Sequence, residues 1–277
     1  MTEMMTASER RRTVESGGAG SQPDCRSVVL DGLDLAKVDE QEAVAWVMES
    51  LSSGRGGWMV TVNLDILRQV HSSVEIRRLV EQSDLRVADG MPLLWAARLQ
   101  GTPLPERVCG SNLIHSLPAA AATAGRSVFF LGGDPGTAEA AAAALVGRHP
   151  SLKVAGSLCP KFGFEHDAEE LARIDHALRE SKPDLVLVAL GFPKQERLIE
   201  RMRACAPQAW WIGVGISFSF ASGRVKRAPR WVQSIGLEWL HRTMQEPRRL
   251  FKRYFIHDIP YGLGLLWRAW RRRGRVG

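Results

Sequence analysis

The sequence predicts an α/β fold: a mostly parallel sheet with helices on both faces, followed by a basic, amphipathic helical segment. Between Val28 and Val214, short apolar or β-branched runs alternate with stretches at helical spacing, the pattern of strands joined by crossover helices. Glycines and polar residues follow the apolar runs, where such folds gather their ligand-binding loops. Cations crowd the C-terminal side: residues 224–277 hold 14 Lys and Arg against Glu238, Glu246 and Asp258. That segment carries +11 within a chain of net charge +7, so the remainder is mildly acidic at −4. A basic segment on an acidic body points to an anionic partner, whether a membrane surface, a phosphate-rich ligand or a nucleic acid.

The expected strands are Val28–Leu30, Trp58–Val62, Leu85–Ala88, Ser127–Leu131, Lys153–Ala155, Leu185–Ala189 and Trp210–Val214. Helices are expected over Glu40–Leu51, Met91–Leu99, Ser111–Ala124, Thr137–Arg148, Ala168–Glu180 and Lys194–Arg203. The Ala-rich run Ala138–Leu145 forms helix readily and has little bulk, which suits close packing on a sheet. Residues 1–25 lack apolar periodicity and read as a flexible tail, residues 26–223 as the core, and residues 224–277 as a helical appendage.

The tail contains no apolar stretch of the secretory kind, so a cytoplasmic location is expected. No apolar run approaches the ~18 residues of a membrane span, so membrane contact is expected to be peripheral. Cys25, Cys109, Cys159 and Cys205 stand singly, without metal-ligand or disulfide spacing. The appendage mixes aromatic residues such as Trp239, Phe251, Tyr254, Phe255, Trp267 and Trp270 with arginines. That mixture suits a bilayer interface, and it also suits a helical subdomain with solvated charges.

Candidate site residues fall at the ends of the expected strands. Gly132, Gly133 and Gly136 lie in the loop Gly-Gly-Asp-Pro-Gly, which could let the backbone approach a diphosphate closely or could be only a tight turn. The loop does not match the spaced Gly-x-Gly-x-x-Gly fingerprint, which disfavours a nicotinamide cofactor, and a Walker lysine pattern is absent. Asp89 follows an apolar strand and precedes Gly90; its carboxylate is placed either as a general base or as the cap of the next helix. Thr61 and Asn63 share one side of a strand end, where they could bind a sugar hydroxyl or terminate the strand. Lys194 and Gln195 open a helix, as ligand groups or as a solvated first turn.

Taken in order, VTVNLDIL, VADGMPLLWAARLQGTPLPERVCGSNLI, FFLGGDPGTAEAA, PDLVLVALGFPKQE and GVGISFSFASGRVKRAPRWVQSIGLEWLHRTMQEPRRLFKRYF resemble the WecG/TagA/CpsF glycosyltransferases, family twenty-six. The resemblance runs from about Val28 to Phe255. It implies a Rossmann-like, inverting, metal-independent enzyme without a cofactor. Such an enzyme moves an N-acetylmannosamine-like or other hexose from a UDP-sugar to a polyprenyl-diphosphate-linked saccharide, in teichoic acid or cell-surface polysaccharide synthesis. It also implies that Asp89 is the base, that Thr61, Asn63 and Gln195 belong to the substrate pocket, and that the appendage docks on the membrane and supplies cations for the diphosphate. Arg227, Arg248 and Arg249 are the candidates for that last task. The expected location is the inner face of the plasma membrane, with no nucleic acid partner and with a homo-oligomer left open. At Ile216 and Ser219 the chain departs from the family pattern, which often has a small residue and an acid there, so the donor sugar stays open. The competing reading is a non-catalytic nucleotide-sugar or lipid-binding peripheral protein on the same fold.

Overall fold

The computed structural model describes residues 27–229, 232, 238–245 and 247–273. The segment expected as a flexible tail lies outside them. Strands β1 (Ser27–Leu30) and β2 (Leu33–Ala36) form an antiparallel hairpin of their own. Val28–Leu30 is therefore a strand, as expected, but it stands apart from the main sheet. The cause is the turn: Asp31 and Gly32 both have positive φ, 50° and 86°, the conformation that joins tightly paired antiparallel strands. The buried Arg86 staples this hairpin to the sheet, donating from Nε to the Asp34 carbonyl at 3.0 Å and from Nη1 to the Ser83 carbonyl at 2.6 Å.

The main sheet is built from β3 (Gly57–Val62), β4 (Leu85–Ala88), β5 (Ser127–Gly132), β6 (Lys153–Leu158), β7 (Leu185–Ala189) and β8 (Trp210–Gly213). All pair in parallel in the order β4-β3-β8-β7-β5-β6. Connecting them are α1 (Glu40–Ser52), α2 (Leu64–Ser72), α3 (Val74–Glu81), α4 (Met91–Gln100), α5 (Gly110–Ala124), α6 (Thr137–Arg148), α7 (Ala168–Ser181), α8 (Lys194–Met202) and α9 (Ser217–Ala221). After β8 and α9 come α10 (Glu238–Gln245), α11 (Pro247–Phe251), a π-helical stretch (Lys252–Asp258) and α12 (Ile259–Arg272).

Strand residues alternate between two apolar layers. Trp58, Val60, Val62, Phe129, Leu131, Val186, Val188 and Trp211 face the layer formed with α2, α3, α4, α7, α8 and α12. Met59, Leu85, Val87, Val128, Phe130, Leu187, Trp210 and Ile212 face the layer formed with α1, α5, α6 and α9. Burial on both faces is why these strands read as continuous apolar runs rather than as alternating ones. Polar caps fix the helix starts. Asp39 and Glu42 make a reciprocal capping box at α1, and Ser73 and Asp167 cap α3 and α7; such caps contribute about 1 kcal/mol each.

Helix α12 lies within the segment expected as an appendage, yet Leu265 and Ala269 are 1% and 2% exposed and join the layer formed with α4. Burying Leu265 alone contributes roughly 2 kcal/mol. Its polar side is anchored to the hairpin turn: Asp31 accepts from Tyr261 Oη at 2.7 Å and from Arg268 Nε and Nη2 at 2.9 and 2.8 Å. Although burial opposes it, Arg268 and Tyr261 hold the Asp31 carboxyl below its ordinary range.

Candidate active site

The loops that leave the carboxyl ends of β3, β4, β5, β7 and β8 converge on one cleft of about 1150 Å³, roofed by residues of the basic segment. In a parallel sheet this edge collects the helix N-termini and their unpaired N–H groups, so it favours anionic ligands.

Asp89 sits on this cleft directly after β4, its backbone N–H donating to the Val62 carbonyl at 2.8 Å. The capping position of α4 falls on Gly90, which has φ 126° and no side chain to offer, so that helix begins without a carboxylate N-cap. Asp89 is half-buried. Its charge is felt by the neighbouring Cys109 thiol, which burial first and Asp89 second push above its ordinary range.

Thr61 and Asn63 reach the same cleft from the end of β3. Thr61 Oγ1 lies 3.5 Å from the Gly213 carbonyl, and Asn63 Oδ1 accepts the Ile66 N–H at 3.0 Å, which makes Asn63 the N-cap of α2. Gly133 lines the cleft and donates its N–H to the Ala189 carbonyl at 2.7 Å; Gly132 and Gly136 shape the same loop from outside the lining. A side chain at Gly132, where φ is 101°, would put Cβ 2.8 Å from the Ala189 carbonyl oxygen. Gly136, at φ 79°, opens α6.

Gln195 lines the cleft while being 5% exposed. Lys194, beside it, is turned away, its Nζ 2.5 Å from Glu165 Oε1 and 5.3 Å from the Phe162 ring centroid.

The cations divide differently from the expectation. Arg227 is absent from the cleft lining, because its guanidinium is engaged elsewhere: Nε donates to Glu238 Oε1 at 3.0 Å and Nη1 to Asn112 Oδ1 at 2.7 Å. Arg248 is exposed on α11 outside the lining, and the Arg249 side chain lies outside what is described. The cleft instead presents Arg107, Arg224, Lys226 and Arg253. Arg224 donates to the Pro135 carbonyl at 3.2 Å, which brings it over the Gly-Gly-Asp-Pro-Gly loop, and neither Arg224 nor Lys226 has a carboxylate partner among the described residues. Arg224 and Lys226 stand three residues and one residue before Arg227 in the run Gly-Arg-Val-Lys-Arg-Ala-Pro.

Two carboxylates tie the roof to the walls. Glu238 of α10 bridges Arg227 and Arg107, at 3.0 and 3.2 Å; burial opposes its ionisation, but the two guanidiniums hold it below the ordinary carboxyl range. Asp258 faces Arg68 at 3.3 Å and Arg253 at 3.6 Å. Burial and the nearby Asp65 charge push Asp258 up to about 6. Among the described residues, no three His, Cys, Asp or Glu side chains group so as to hold a metal ion. Ile216 and Ser219 both line the cleft, Ser219 being 5% exposed.

The geometry thus combines the half-buried Asp89 carboxylate, four cations and loop N–H groups in a single cleft that Asp65, Asp134, Glu238 and Asp258 also line, an arrangement suited to displacing an anionic leaving group with a deprotonated hydroxyl. N-acetylglucosaminyldiphosphoundecaprenol N-acetyl-beta-D-mannosaminyltransferase of Bacillus spizizenii (strain ATCC 23059 / NRRL B-14472 / W23) is 32% identical over 199 residues, 72% of this chain and 75% of that relative. The family model of the WecG/TagA/CpsF glycosyl transferases matches residues 28–275, and the chain belongs to that family.

Proposed function

We propose that this glycosyltransferase moves an N-acetylmannosamine-like or other hexose from a UDP-sugar to a polyprenyl-diphosphate-linked saccharide, with inversion and with Asp89 as the base. The observation that carries the reading is the placement of Asp89 in the same cleft as Arg107, Arg224, Lys226 and Arg253. In the step proposed, the Asp89 carboxylate takes the acceptor hydroxyl proton as the hydroxyl oxygen bonds to the anomeric carbon. The bond from that carbon to the diphosphate breaks on the opposite face, and the electron pair leaves with UDP. Arg224 and Lys226 are the groups assigned to the departing diphosphate, because charge-assisted hydrogen bonds to phosphate are strong and neither cation is paired with a carboxylate among the described residues. Thr61 and Asn63 are assigned to sugar hydroxyls on the β3 side.

A lipid-linked acceptor also requires a route to a bilayer. Trp95 and Leu263 line the cleft while 43% and 65% exposed, and Trp267, Trp270, Phe251 and Ile256 are exposed nearby in sequence among arginines. No described helix is long and apolar enough to cross a membrane. The reading supported is peripheral docking of this face on the cytoplasmic side of an anionic membrane, with aromatic and Arg side chains in the headgroup zone.

The test is a UDP-release assay over a panel of UDP-sugars, with and without a short-chain lipid-diphosphate saccharide. Acceptor-dependent release by the wild type should fall by roughly 10²-fold or more in folded Asp89→Asn. Wild-type turnover by that variant would remove Asp89 from the mechanism, and release that never depends on acceptor would replace transfer by hydrolysis.

A further inference from the structure

We propose that Glu196 is a positioning residue: its buried carboxyl sets the orientation of the Gln195 amide, and through that amide it holds together the two loops that follow β7 and β8 at the cleft.

The Gln195 side chain is shared between those loops. Its Oε1 accepts from the Gly191 N–H at 3.2 Å and from the Gly215 N–H at 3.3 Å, one loop on each side, and both glycines line the cleft. A carboxamide oxygen has two lone pairs, so these bonds fill it. On the other side, Nε2 donates to Glu196 Oε1 at 2.9 Å. The amide is nearly symmetric in shape, and only its partners decide which end points where. Two N–H donors on one side and a carboxyl oxygen on the other permit one orientation alone. Reversing the amide would set its NH₂ against the Gly191 and Gly215 N–H groups and its oxygen against Glu196 Oε1.

Glu196 is suited to this by its confinement. It is 1% exposed, and its second oxygen, Oε2, is buried without a hydrogen-bond partner among the described residues. A carboxyl so placed costs stability unless one of its oxygens is put to use, and Oε1 is put to use by the Gln195 amide. The strand below leaves no slack: a Cβ at Gly213 would collide with the Gln195 amide and the Glu196 carboxyl. Gly213 follows Ile212 in β8 and precedes the loop carrying Gly215, so the pair of side chains is wedged between β8 and α8. Glu196 does not line the cleft, and it acts on a ligand only through Gln195.

The experiment compares Glu196→Gln, which keeps a carbonyl acceptor for Gln195, with Glu196→Leu, which keeps the volume and removes it. The full chain is titrated with UDP, and exchange of the Gly191 and Gly215 amides is followed separately. UDP affinity should stay within about twofold in Glu196→Gln and weaken about tenfold in Glu196→Leu, with faster exchange at both glycines. Equal behaviour of the two variants, or wild-type affinity and exchange in Glu196→Leu, would overturn the proposal. Should Glu196→Leu not fold, the wild type decides. One Gln195 side-chain amide proton should exchange with solvent at least about tenfold more slowly than its geminal partner, and equal rates would refute the bond. The exchange readouts hold whether or not the protein uses UDP-sugars, so failure of the transferase reading is distinguishable from failure of this one.

Discussion

Replacing Glu196 with Gln changes how the stability of the protein depends on pH, by an amount set by the burial of its carboxyl. Burial pushes this group from its ordinary 4.5 up to about 7, against the weaker opposing effect of the Gln195 bond. Between those values the unfolded chain has lost the proton and the folded chain retains it. The folded state then binds more protons, so stability falls as pH rises from 4.5 to 7 and levels off outside that window. At ~1.4 kcal/mol per pH unit, the wild type loses about 3 kcal/mol across it. Glu196→Gln cannot titrate and escapes this loss. It carries instead a constant cost of ~1–3 kcal/mol for burying an amide NH₂ where Oε2 has no partner among the described residues. The sign of the difference at any one pH is therefore less informative than its slope. Urea unfolding of both proteins at pH 4, 5, 6, 7 and 8, extrapolated to water, should show the variant gaining about 3 kcal/mol relative to wild type between the extremes. Asp258, pushed up to about 6, titrates in the same range but contributes to both curves and cancels. A difference that stays flat, or that narrows as pH rises, would refute the assignment of a buried, protonated Glu196.

Other perturbations probe the cleft and its supports. Ala at both Arg224 and Lys226 should weaken UDP binding by at least about tenfold while leaving uridine binding unchanged, measured by calorimetry; equal losses for both ligands would remove these cations from the diphosphate. Asp31→Asn should cost about 2 kcal/mol at neutral pH by loosening α12 from the hairpin. Because the Asp31 carboxyl lies below 3.8, its contribution is present above that pH and disappears as pH falls through the folded value, which paired denaturation curves would reveal. Gly213→Ala should cost roughly 1–3 kcal/mol by overpacking Gln195 and Glu196, seen as a lower urea midpoint.

The sheet was legible because its strands are buried on both faces: runs such as Leu185–Ala189 carry their apolar signal without a partner pattern. The hairpin is not evident as a separate unit, because a single strand at Val28–Leu30 already satisfies the alternation even though Asp31-Gly32 before Leu33–Ala36 is a strong turn signal. Helix α2 is hidden in the sequence because Asn63 reads equally as a strand end or a ligand, whereas it caps the helix as well as lining the cleft. Asp89, Thr61, Asn63, Gly133 and Gln195 were legible as cleft residues because each follows an apolar strand or opens the helix after one. The cations were not. Spacing cannot tell Arg224 from Arg227, and only the bonds from Arg227 to Glu238 and Asn112 show it to be occupied. Glu196 was hidden for a related reason: an acid in a first helical turn reads as solvated, and nothing local reveals that α8 turns it under β8.

The bond between Asp31 and Arg268 joins residues separated by 237 positions. Synthesis proceeds from the amino end, so the hairpin turn and the floor beneath α4 emerge long before the helix that covers them. Until α12 arrives, the apolar ground meant for Leu265 and Ala269 stays open to water, and the Asp31 carboxylate waits without its guanidinium. The exposed tryptophans Trp267 and Trp270 ride on that same helix. The helix that completes the apolar layer is thus also the one that carries this aromatic face, so both depend on the last of the described elements to be synthesised.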